Sequence, residues 1–262
     1  MPAVSVIIPS RLATATGGGE RLFLEDAVLS IRQQATIEGK HIQIIVGVDM
    51  GAVVPAGLAQ RLGVELAESG GRSQAAALNA AAERAEGEFL AILEDDDVWD
   101  SGFLRTALDA LGKAQFVSST QLELDPMGKV LRINDFPTPS GWIMRLETFQ
   151  EVGGFDESYR WHLDNDWLGR LGEWGRSRVH LVEATAPVIP HIAAQVRPWL
   201  HNVLRQGGPS IRLVRHEATV PLVVRRVHAG SGMQRLVNDA ALKAESQSEL
   251  ARLVQRYGRV PW

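Results

Sequence analysis

The feature that most constrains this chain is a short apolar run that ends in four consecutive carboxylates. Residues Phe89–Leu93 have the length and composition of a buried strand, and Glu94, Asp95, Asp96 and Asp97 follow directly. Adjacent acids repel one another, so a strand has little reason to end in this way unless a cation is bound there. Hard divalent cations such as Mg²⁺ or Mn²⁺ prefer oxygen ligands, commonly one or two carboxylates together with substrate phosphates. The run therefore predicts a strand-end metal site for a phosphorylated ligand. The alternative is a solvated acidic turn before the next helix, where acids are favourable.

Composition bounds the class of protein. At 262 residues the chain is long enough to bury a sizeable core as one large domain. Its net charge of −4 argues against a general nucleic-acid binder. There are no cysteines, so disulfides and thiolate metal sites are excluded, as suits a cytoplasmic protein. The sequence shows neither the pattern of a signal peptide nor an apolar run long enough to span a membrane.

The first half alternates between strand and helix patterns. This alternation predicts a mostly parallel sheet with helices on both faces, in which ligands bind beyond the carboxyl ends of the strands. Asp49 and the acidic run both follow strands, so we expect them at the same edge of the sheet. The predicted strands are Val4–Pro9, Ile42–Val48, Val64–Leu66 and Phe89–Leu93, and the predicted helices are Leu22–Gln34, Leu58–Leu62, Gln74–Ala85 and Ser101–Lys113.

The second half changes character, and its patterns predict shorter elements. Phe116–Leu124 and Lys129–Ile133 are expected to form an antiparallel pair around a turn. A terminal amphipathic helix is expected over Met233–Tyr257, with a break near Ser246. The other expected elements are strands at Gly141–Met144, Val179–Val182 and Val220–Val227, and helices at Leu146–Val152 and Val196–Gln206. The segment Tyr159–Trp167 is expected to lead into a further helix that runs through about Trp174.

Five motifs in this order resemble those of the family 2 glycosyltransferases of the GT-A fold, and the match runs from Val4 to about His228. Each motif alone is moderate evidence, but their order makes the resemblance specific. The motifs are the opening strand Val4–Arg11, the second strand Ile44–Asp49, the helix and acidic strand end Ala75–Trp99, the segment Gly153–Leu168, and the late strand end Arg225–Ser231.

The resemblance implies a fold and a reaction. The fold would be α/β, with a GT-A-type Rossmann-like mixed sheet, helices on both faces and a C-terminal helical extension. Residues 1–114 would form the nucleotide-sugar-binding half, 115–232 the acceptor-binding half of the same domain, and 233–262 the extension. The reaction would be metal-dependent, inverting transfer from a UDP- or GDP-sugar to a hydroxyl of a glycan, a lipid-linked acceptor or a small molecule, with Mn²⁺ or Mg²⁺ as cofactor.

The resemblance also assigns roles to residues around the donor. Asp96 would be the direct metal ligand, Asp97 either a second ligand or a cap of the next helix, and His228 a third ligand or a diphosphate contact. Asp95 would face the ribose or a metal-bound water, and Asp49 the nucleotide base. The full nucleotide-binding set is Pro9, Arg11, Asp49, Arg72 and Asp95.

On the acceptor side, a carboxylate must reach the attacking hydroxyl as general base. The resemblance favours Asp164, with Asp166 as the alternative; residues two apart at a helix start face different ways, so we expect only one of them at the site. Three tryptophans are acceptor-binding candidates, because an indole can stack on a sugar ring or fill the core. We expect Trp161 or Trp142 at the site and the others, including Trp167, packed.

Departures from the family pattern keep a second interpretation open. Asp49 stands alone where an acid pair is usual, Glu94 replaces an aspartate, and Leu163 stands where an acid is usual. These changes allow a catalytically silent nucleotide-sugar-binding or scaffold protein of the same fold. The arginines of the C-terminal third would suit an anionic acceptor or peripheral contact with a membrane, and the terminal helix would suit packing on the domain or a homodimer. These arginines are Arg197, Arg205, Arg212, Arg215, Arg225 and Arg226.

Overall fold

The computed structural model describes residues 3–15, 21–34, 41–112, 114–184 and 211–262. Within these ranges the chain builds a mixed eight-stranded sheet. Its strands are β1 (Val4–Ser10), β2 (Ile42–Val48), β3 (Glu65–Glu68), β4 (Phe89–Ile92), β6 (Phe116–Ser119), β9 (Trp142–Arg145), β10 (Arg178–Val182) and β11 (Ile211–Arg215). The strand order is β11-β10-β6-β9-β4-β1-β2-β3. Strand β9 runs antiparallel to both of its neighbours, and the other pairs are parallel.

Helices cover both faces of the sheet, as the alternation of patterns predicted. Successive residues of β1 point to opposite faces: Ile8 belongs to one buried apolar cluster and Ile7 to the other. The helices of the first cluster are α1 (Phe23–Arg32) and α4 (Phe103–Leu111), and those of the second are α3 (Gln74–Ala82), α5 (Leu146–Val152) and α6 (Leu163–Glu173). A short helix, α2 (Leu58–Leu62), precedes β3.

Helix α3 lies unusually close to the sheet. Ser73 caps it by accepting a hydrogen bond from the backbone N–H of Ala76 at 3.1 Å. A Cβ atom on Gly47 of β2 would lie 2.0 Å from the backbone oxygen of Ala77, so only glycine fits opposite this helix. The alanine-rich sequence therefore serves close packing, and it brings Gln74 to the end of β4.

A second sheet corrects the sequence prediction for Phe116–Leu124. We expected one strand there, but the chain leaves the main sheet at Thr120, and only β7 (Gln121–Leu124) pairs with β8 (Val130–Asn134). The reason is burial: Phe116–Ser119 is buried throughout between β9 and β10, whereas β7 alternates between buried and half-buried residues. With β5 at Val98–Trp99 and β12 at Val223–Arg226, the second sheet has the order β5-β12-β7-β8.

The C-terminal segment forms two helices, α7 (Gly232–Asn238) and α8 (Ala240–Tyr257). The predicted break near Ser246 lies instead at Asp239, because the Asp239 carboxylate accepts hydrogen bonds from the first turn of α8. Helix α8 packs against α6, with Leu253 fully buried in the second apolar cluster. The predicted helix at Val196–Gln206 lies outside the described residues. In the described ranges, no helix combines the length and apolar character needed to cross a membrane.

Candidate functional site

The carboxyl ends of β1, β2 and β4 open into a cavity of about 1380 Å³, which we call the donor cavity. This is the edge of the sheet where the sequence placed the site. Of the residues proposed from the sequence, the cavity is lined by Pro9, Arg11, Asp49, Arg72, Asp95, Asp96, Trp161, Asp164 and His228. Asp97, Trp142, Asp166 and Trp167 do not line it.

The acidic run gathers its carboxylates instead of spreading them into solvent. Oxygens of Glu94, Asp96 and Asp97 all lie within 4.8 Å of one another. Burial is the main reason that the pKa of Glu94 is raised and that of Asp97 is well above its usual value, and the Asp96 charge adds to both. Burial, with the Asp96 charge, also raises the pKa of Asp95 to about 7. A divalent cation would offset the repulsion between carboxylates held this close, and the cluster offers only oxygen ligands, so the residues present suit Mg²⁺ or Mn²⁺.

Arg225 supplies positive charge to this cluster. Its side chain is 20% exposed, lines the donor cavity and donates a hydrogen bond of 3.3 Å to Glu123 on β7. Although burial opposes its charge, the nearby Glu94, Asp97, Glu123 and Asp96 carboxylates raise its pKa. Sequence reasoning identified Arg225 only as one of several C-terminal arginines. Its position beside the acidic run could not be predicted, because β12 and β4 are remote in sequence.

Asp97 lies behind the cavity and is 1% exposed. Its Oδ2 accepts a hydrogen bond of 2.6 Å from Ser140 Oγ, and its Oδ1 accepts one of 3.2 Å from the backbone N–H of Arg226. Both oxygens are thus engaged by the 3₁₀ turn at Pro139–Gly141 and by β12. The Asp97 side chain therefore ties the acidic run to the second sheet, and it does not cap helix α4.

The His228 side chain lies against Asp96, the residue predicted to be the direct metal ligand. Its Nε2 lies 3.1 Å from Asp96 Oδ2, and its ring stacks on Phe23 at a centroid distance of 4.6 Å. The backbone N–H of Gly230 points at His228 Nδ1 at 3.2 Å. Since Nδ1 accepts that hydrogen, the Nε2 proton is donated to Asp96, and in this arrangement His228 orients the Asp96 carboxylate.

The residues proposed for the nucleotide also line the donor cavity. Asp49 follows β2 directly, and Arg72 crosses towards it, donating to the backbone oxygen of Met50 at 3.3 Å. Ser10, at the end of β1, donates a hydrogen bond of 2.5 Å to Asp95 Oδ2. An aspartate and an arginine beside a helix N-terminus are groups that suit a base and a phosphate, respectively.

The two candidate bases lie in different environments on helix α6. Asp164 is half-buried, lines the donor cavity and has a pKa that burial raises. Asp166 is fully buried and faces the other side of the helix. There it accepts hydrogen bonds from Arg170 at 2.9 Å, Arg256 at 3.3 Å and the Tyr257 hydroxyl at 3.0 Å. Asp166 therefore joins α6 to the C-terminal segment and is not available to an acceptor.

The tryptophans divide in the same way. Trp161 lines the donor cavity, and its Nε1 donates to Glu245 at 3.0 Å. Trp142 and Trp167 are both 0% exposed, with ring centroids 5.3 Å apart in the second apolar cluster. The structure corrects Trp142 as an acceptor-binding candidate, whereas Trp167 is packed as expected. Phe116 and Phe155 contact both rings in the core.

One buried acid at the site was not predicted from the sequence. Glu249 of α8 is 4% exposed and accepts hydrogen bonds of 2.8 to 3.1 Å from the backbone N–H groups of Arg160, Trp161 and His162. It fixes the turn that presents Trp161 and begins the Asp164 helix. A glutamate among exposed helix residues carries no distinguishing pattern, so only the tertiary packing identifies it.

Sequence comparison assigns the chain to a family. The sequence model of Glycosyl transferase family 2 matches residues 5–137, just over half of the chain. The protein belongs to this family, as its motifs predicted, and its class is that of the glycosyltransferases. No protein with a curated description matches the chain.

Solved structures share the fold. The crystal structure of S. aureus TarS has a TM-score of 0.55 at 13% identity, with 98% of this chain and 43% of that chain covered. TarS 1–349 in complex with UDP has a TM-score of 0.54 at 13% identity, covering 97% and 72%. The same TarS fragment in complex with UDP-GlcNAc has a TM-score of 0.54 at 12% identity, covering 89% and 60%. The chain thus spans less than half the length of TarS, and the likeness confirms the GT-A-type α/β fold.

Proposed function

We propose that this protein transfers a sugar from a nucleoside diphosphate sugar to an acceptor hydroxyl, with inversion at the anomeric carbon. One observation carries the proposal: Glu94 and Asp96 at the end of β4 line the same cavity as the carboxylate of Asp164. The first can serve a leaving diphosphate and the second an attacking hydroxyl. Family membership and the chemistry of these two carboxylate groups support the same reaction.

The donor would bind between the ends of β1, β2 and β4. Asp49 would accept a hydrogen bond from the base, and Arg72 with the N-terminus of α3 would hold phosphate oxygens. Asp95, tied to Ser10, would contact the ribose, while Pro9 and Arg11 complete this wall. The TarS structures with UDP and UDP-GlcNAc support a UDP-sugar as the first donor to test, with a GDP-sugar as the next.

Asp96 and Glu94 are the residues we propose to hold Mn²⁺ or Mg²⁺, with Asp97 behind them and His228 orienting Asp96. When bound, such a cation supplies Lewis-acid stabilisation of the leaving diphosphate. The chain itself prepares the site by burying like charges, which lowers their tendency to ionise without a cation. Arg225, beside the acidic cluster, would share the negative charge of the diphosphate.

Asp164 would act as the general base. Its carboxylate would take the proton of the acceptor hydroxyl as the hydroxyl oxygen attacks the anomeric carbon. A raised pKa brings the base closer to the operating pH, where general bases are most effective. Trp161, on the same turn, would stack on the acceptor, a hydroxyl-bearing glycan, a lipid-linked molecule or a small molecule. The cysteine-free sequence is consistent with a cytoplasmic location for this reaction.

Thermal unfolding with a panel of nucleoside diphosphates tests the donor site. UDP, GDP, CDP, ADP and dTDP are each added with and without Mn²⁺, since a ligand of the folded state raises Tm by mass action. We expect one diphosphate to raise Tm, and only with the cation. Asp96→Asn should abolish this rise, whereas Asp109→Asn, on the exposed face of α4, should leave it unchanged.

The same diphosphate then selects the nucleotide sugars for a transfer assay. Release of the diphosphate that depends on an acceptor would support the enzyme. Stabilisation by nucleotide with no turnover by any acceptor would favour a silent nucleotide-sugar-binding protein. If no diphosphate changes Tm, with or without Mn²⁺, the donor-site proposal is wrong.

A further inference from the structure

A second cavity, of about 320 Å³, lies at the amino-terminal end of strand β10, and we call it the rear cavity. It opens beside Arg178, the first residue of β10, whereas the donor cavity lies at the carboxyl ends of strands. The carboxyl-terminal half of α6 and the end of the chain after α8 form its walls. Its lining residues are Leu168, Gly169, Gly172, Glu173, Arg178, Arg256, Tyr257, Arg259, Pro261 and Trp262.

Arg178 is the unusual residue of this cavity. It is 3% exposed, yet among the described residues its Nε and Nη1 atoms have no hydrogen-bond partner. Its Cζ lies 5.7 Å from the centroid of the Phe116 ring, which covers one face of the guanidinium. Burial, with a contribution from the Arg259 charge, lowers the pKa of Arg178 to about 9. Because a buried charge without a partner is costly, this guanidinium is arranged to receive an anion.

The other charged groups of the rear cavity do not supply that anion. Glu173 is 54% exposed on its side chain and pairs with Arg256 at 3.6 Å. Arg256 is also within 3.3 Å of Asp166, which is buried behind the cavity wall. Arg259 is exposed, stacks on the Trp262 ring at 5.0 Å, and has no carboxylate partner in the part of the chain that the structure describes. The side chains that line the cavity thus carry three guanidinium groups and one carboxylate.

We propose that the rear cavity binds a small oxyanion, a phosphate or a carboxylate group, between Arg178 and Arg259. Guanidinium groups present paired N–H donors that match the oxygens of both groups. A volume of about 320 Å³ is at the lower end for small-molecule sites, so it accommodates such a group with a short attached chain. This site is separate from the donor cavity and is independent of the proposed transferase reaction.

Thermal unfolding with inorganic phosphate tests the proposal, at constant ionic strength and at millimolar concentrations where general salt effects are small. Once phosphate exceeds its Kd roughly tenfold, the wild-type Tm should rise by about 3 °C. Arg178→Met should abolish the rise. The matched control Arg61→Met, in an exposed arginine of α2, should retain it.

Three further measurements distinguish phosphate binding in the rear cavity from a folding defect and from binding in the donor cavity. In phosphate-free buffer Arg178→Met should unfold at the wild-type temperature or above it, because it removes an uncompensated buried charge. Arg259→Met leaves the buried position intact and should also abolish the rise. Arg72→Met, which removes a guanidinium of the donor cavity, should retain it.

Parallel titrations with glycerol phosphate and with succinate distinguish the two ligand chemistries. A larger rise with glycerol phosphate identifies a phosphate ester as the natural class, and a larger rise with succinate identifies a carboxylate. Either result supports the site if it depends on both Arg178 and Arg259. The proposal is overturned if no oxyanion raises Tm, or if the rise survives Arg178→Met and Arg259→Met and is lost in Arg72→Met.

Discussion

The carboxylates at the end of β4 and the carboxylate of Asp166 on α6 lie in opposite electrostatic environments. At the end of β4, Glu94, Asp96 and Asp97 crowd their oxygens within 4.8 Å, and burial raises the pKa of Glu94 and Asp97. On α6, the single carboxylate of Asp166 is fully buried and is satisfied by Arg170 and Arg256 as well as by a tyrosine hydroxyl.

This contrast distinguishes a binding site from a structural anchor. A carboxylate that is surrounded by cations and donors stabilises the fold, and removing it leaves buried charges unpaired. Carboxylates that are held together against their mutual repulsion destabilise the fold and are explained by a ligand that binds there. Asp164 belongs with the acidic cluster by location, because it lines the donor cavity only two residues before Asp166.

The sharpest test of the contrast is the pair Asp164→Asn and Asp166→Asn. Loss of a general base should lower kcat roughly 10²- to 10⁴-fold in Asp164→Asn, with little change in donor affinity. In wild type the acidic limb of the kcat profile should follow the raised pKa of Asp164, so kcat rises with pH through that value. Steady-state kinetics across pH measures both effects. Folded Asp166→Asn should keep the wild-type kcat. A large loss of kcat in Asp166→Asn, with wild-type kcat in Asp164→Asn, would make Asp166 the general base instead.

Asp166→Asn should instead lose stability. Arg170 and Arg256 would face a neutral amide in a fully buried position, and we expect the free energy of unfolding to fall by about 3 kcal/mol. Urea unfolding gives this value from the shift of the midpoint. Asp96→Asn, measured in metal-free buffer, should show no such loss, since it relieves repulsion in the acidic cluster. Equal destabilisation by both variants would remove the distinction.

Glu249→Gln tests the acid that joins the terminal helix to the turn before Asp164. An amide oxygen cannot accept all three backbone N–H bonds, so the free energy of unfolding should fall by about 2 kcal/mol, and kcat should fall with it. Glu83→Gln is the control, because the Glu83 side chain is exposed at the end of α3 and lies outside the donor cavity, so its change should cost less than about 1 kcal/mol. An equal effect of both variants on kcat would contradict a positioning role for Glu249.

The smallest expected effect concerns Asp95 and pH. Its pKa is about 7 in the folded protein against 3.8 ordinarily, so the folded state holds a proton that the unfolded state has lost between these values. Stability of the metal-free protein should therefore decrease as pH rises from about 4 to 7. Asp95→Asn should raise Tm at pH 8 by only a few degrees, because Asp95 is half-buried and solvent screens its charge, and it should leave Tm unchanged at pH 4. An identical wild-type and variant profile would show that Asp95 ionises freely.

The sequence predicted the bounds of strands and helices best where the signals are local along the chain. The strand at Ile42–Val48 and the helices at Leu58–Leu62 and Leu146–Val152 have the predicted bounds, because apolar spacing and flanking glycines are local signals. The acidic run also lies at the predicted edge of the sheet. The strand at Phe116–Leu124 was wrong, since the turn from one sheet to the other at Thr120 depends on neighbours that are distant in sequence.

The sequence by itself determined the family, the alternation of strands and helices, and the acidic run that places a charged site at the end of β4. Only the tertiary structure decided which charges meet: Asp164 at the cavity and Asp166 against two arginines, Trp161 at the cavity and Trp142 in the core. It also buried Arg178 with two guanidinium nitrogens that have no hydrogen-bond partner among the described residues. The physical reason is the separation along the sequence of the residues that determine each property. Strand and helix patterns are local along the chain, whereas the fate of a charge or a large ring depends on which remote segments pack around it.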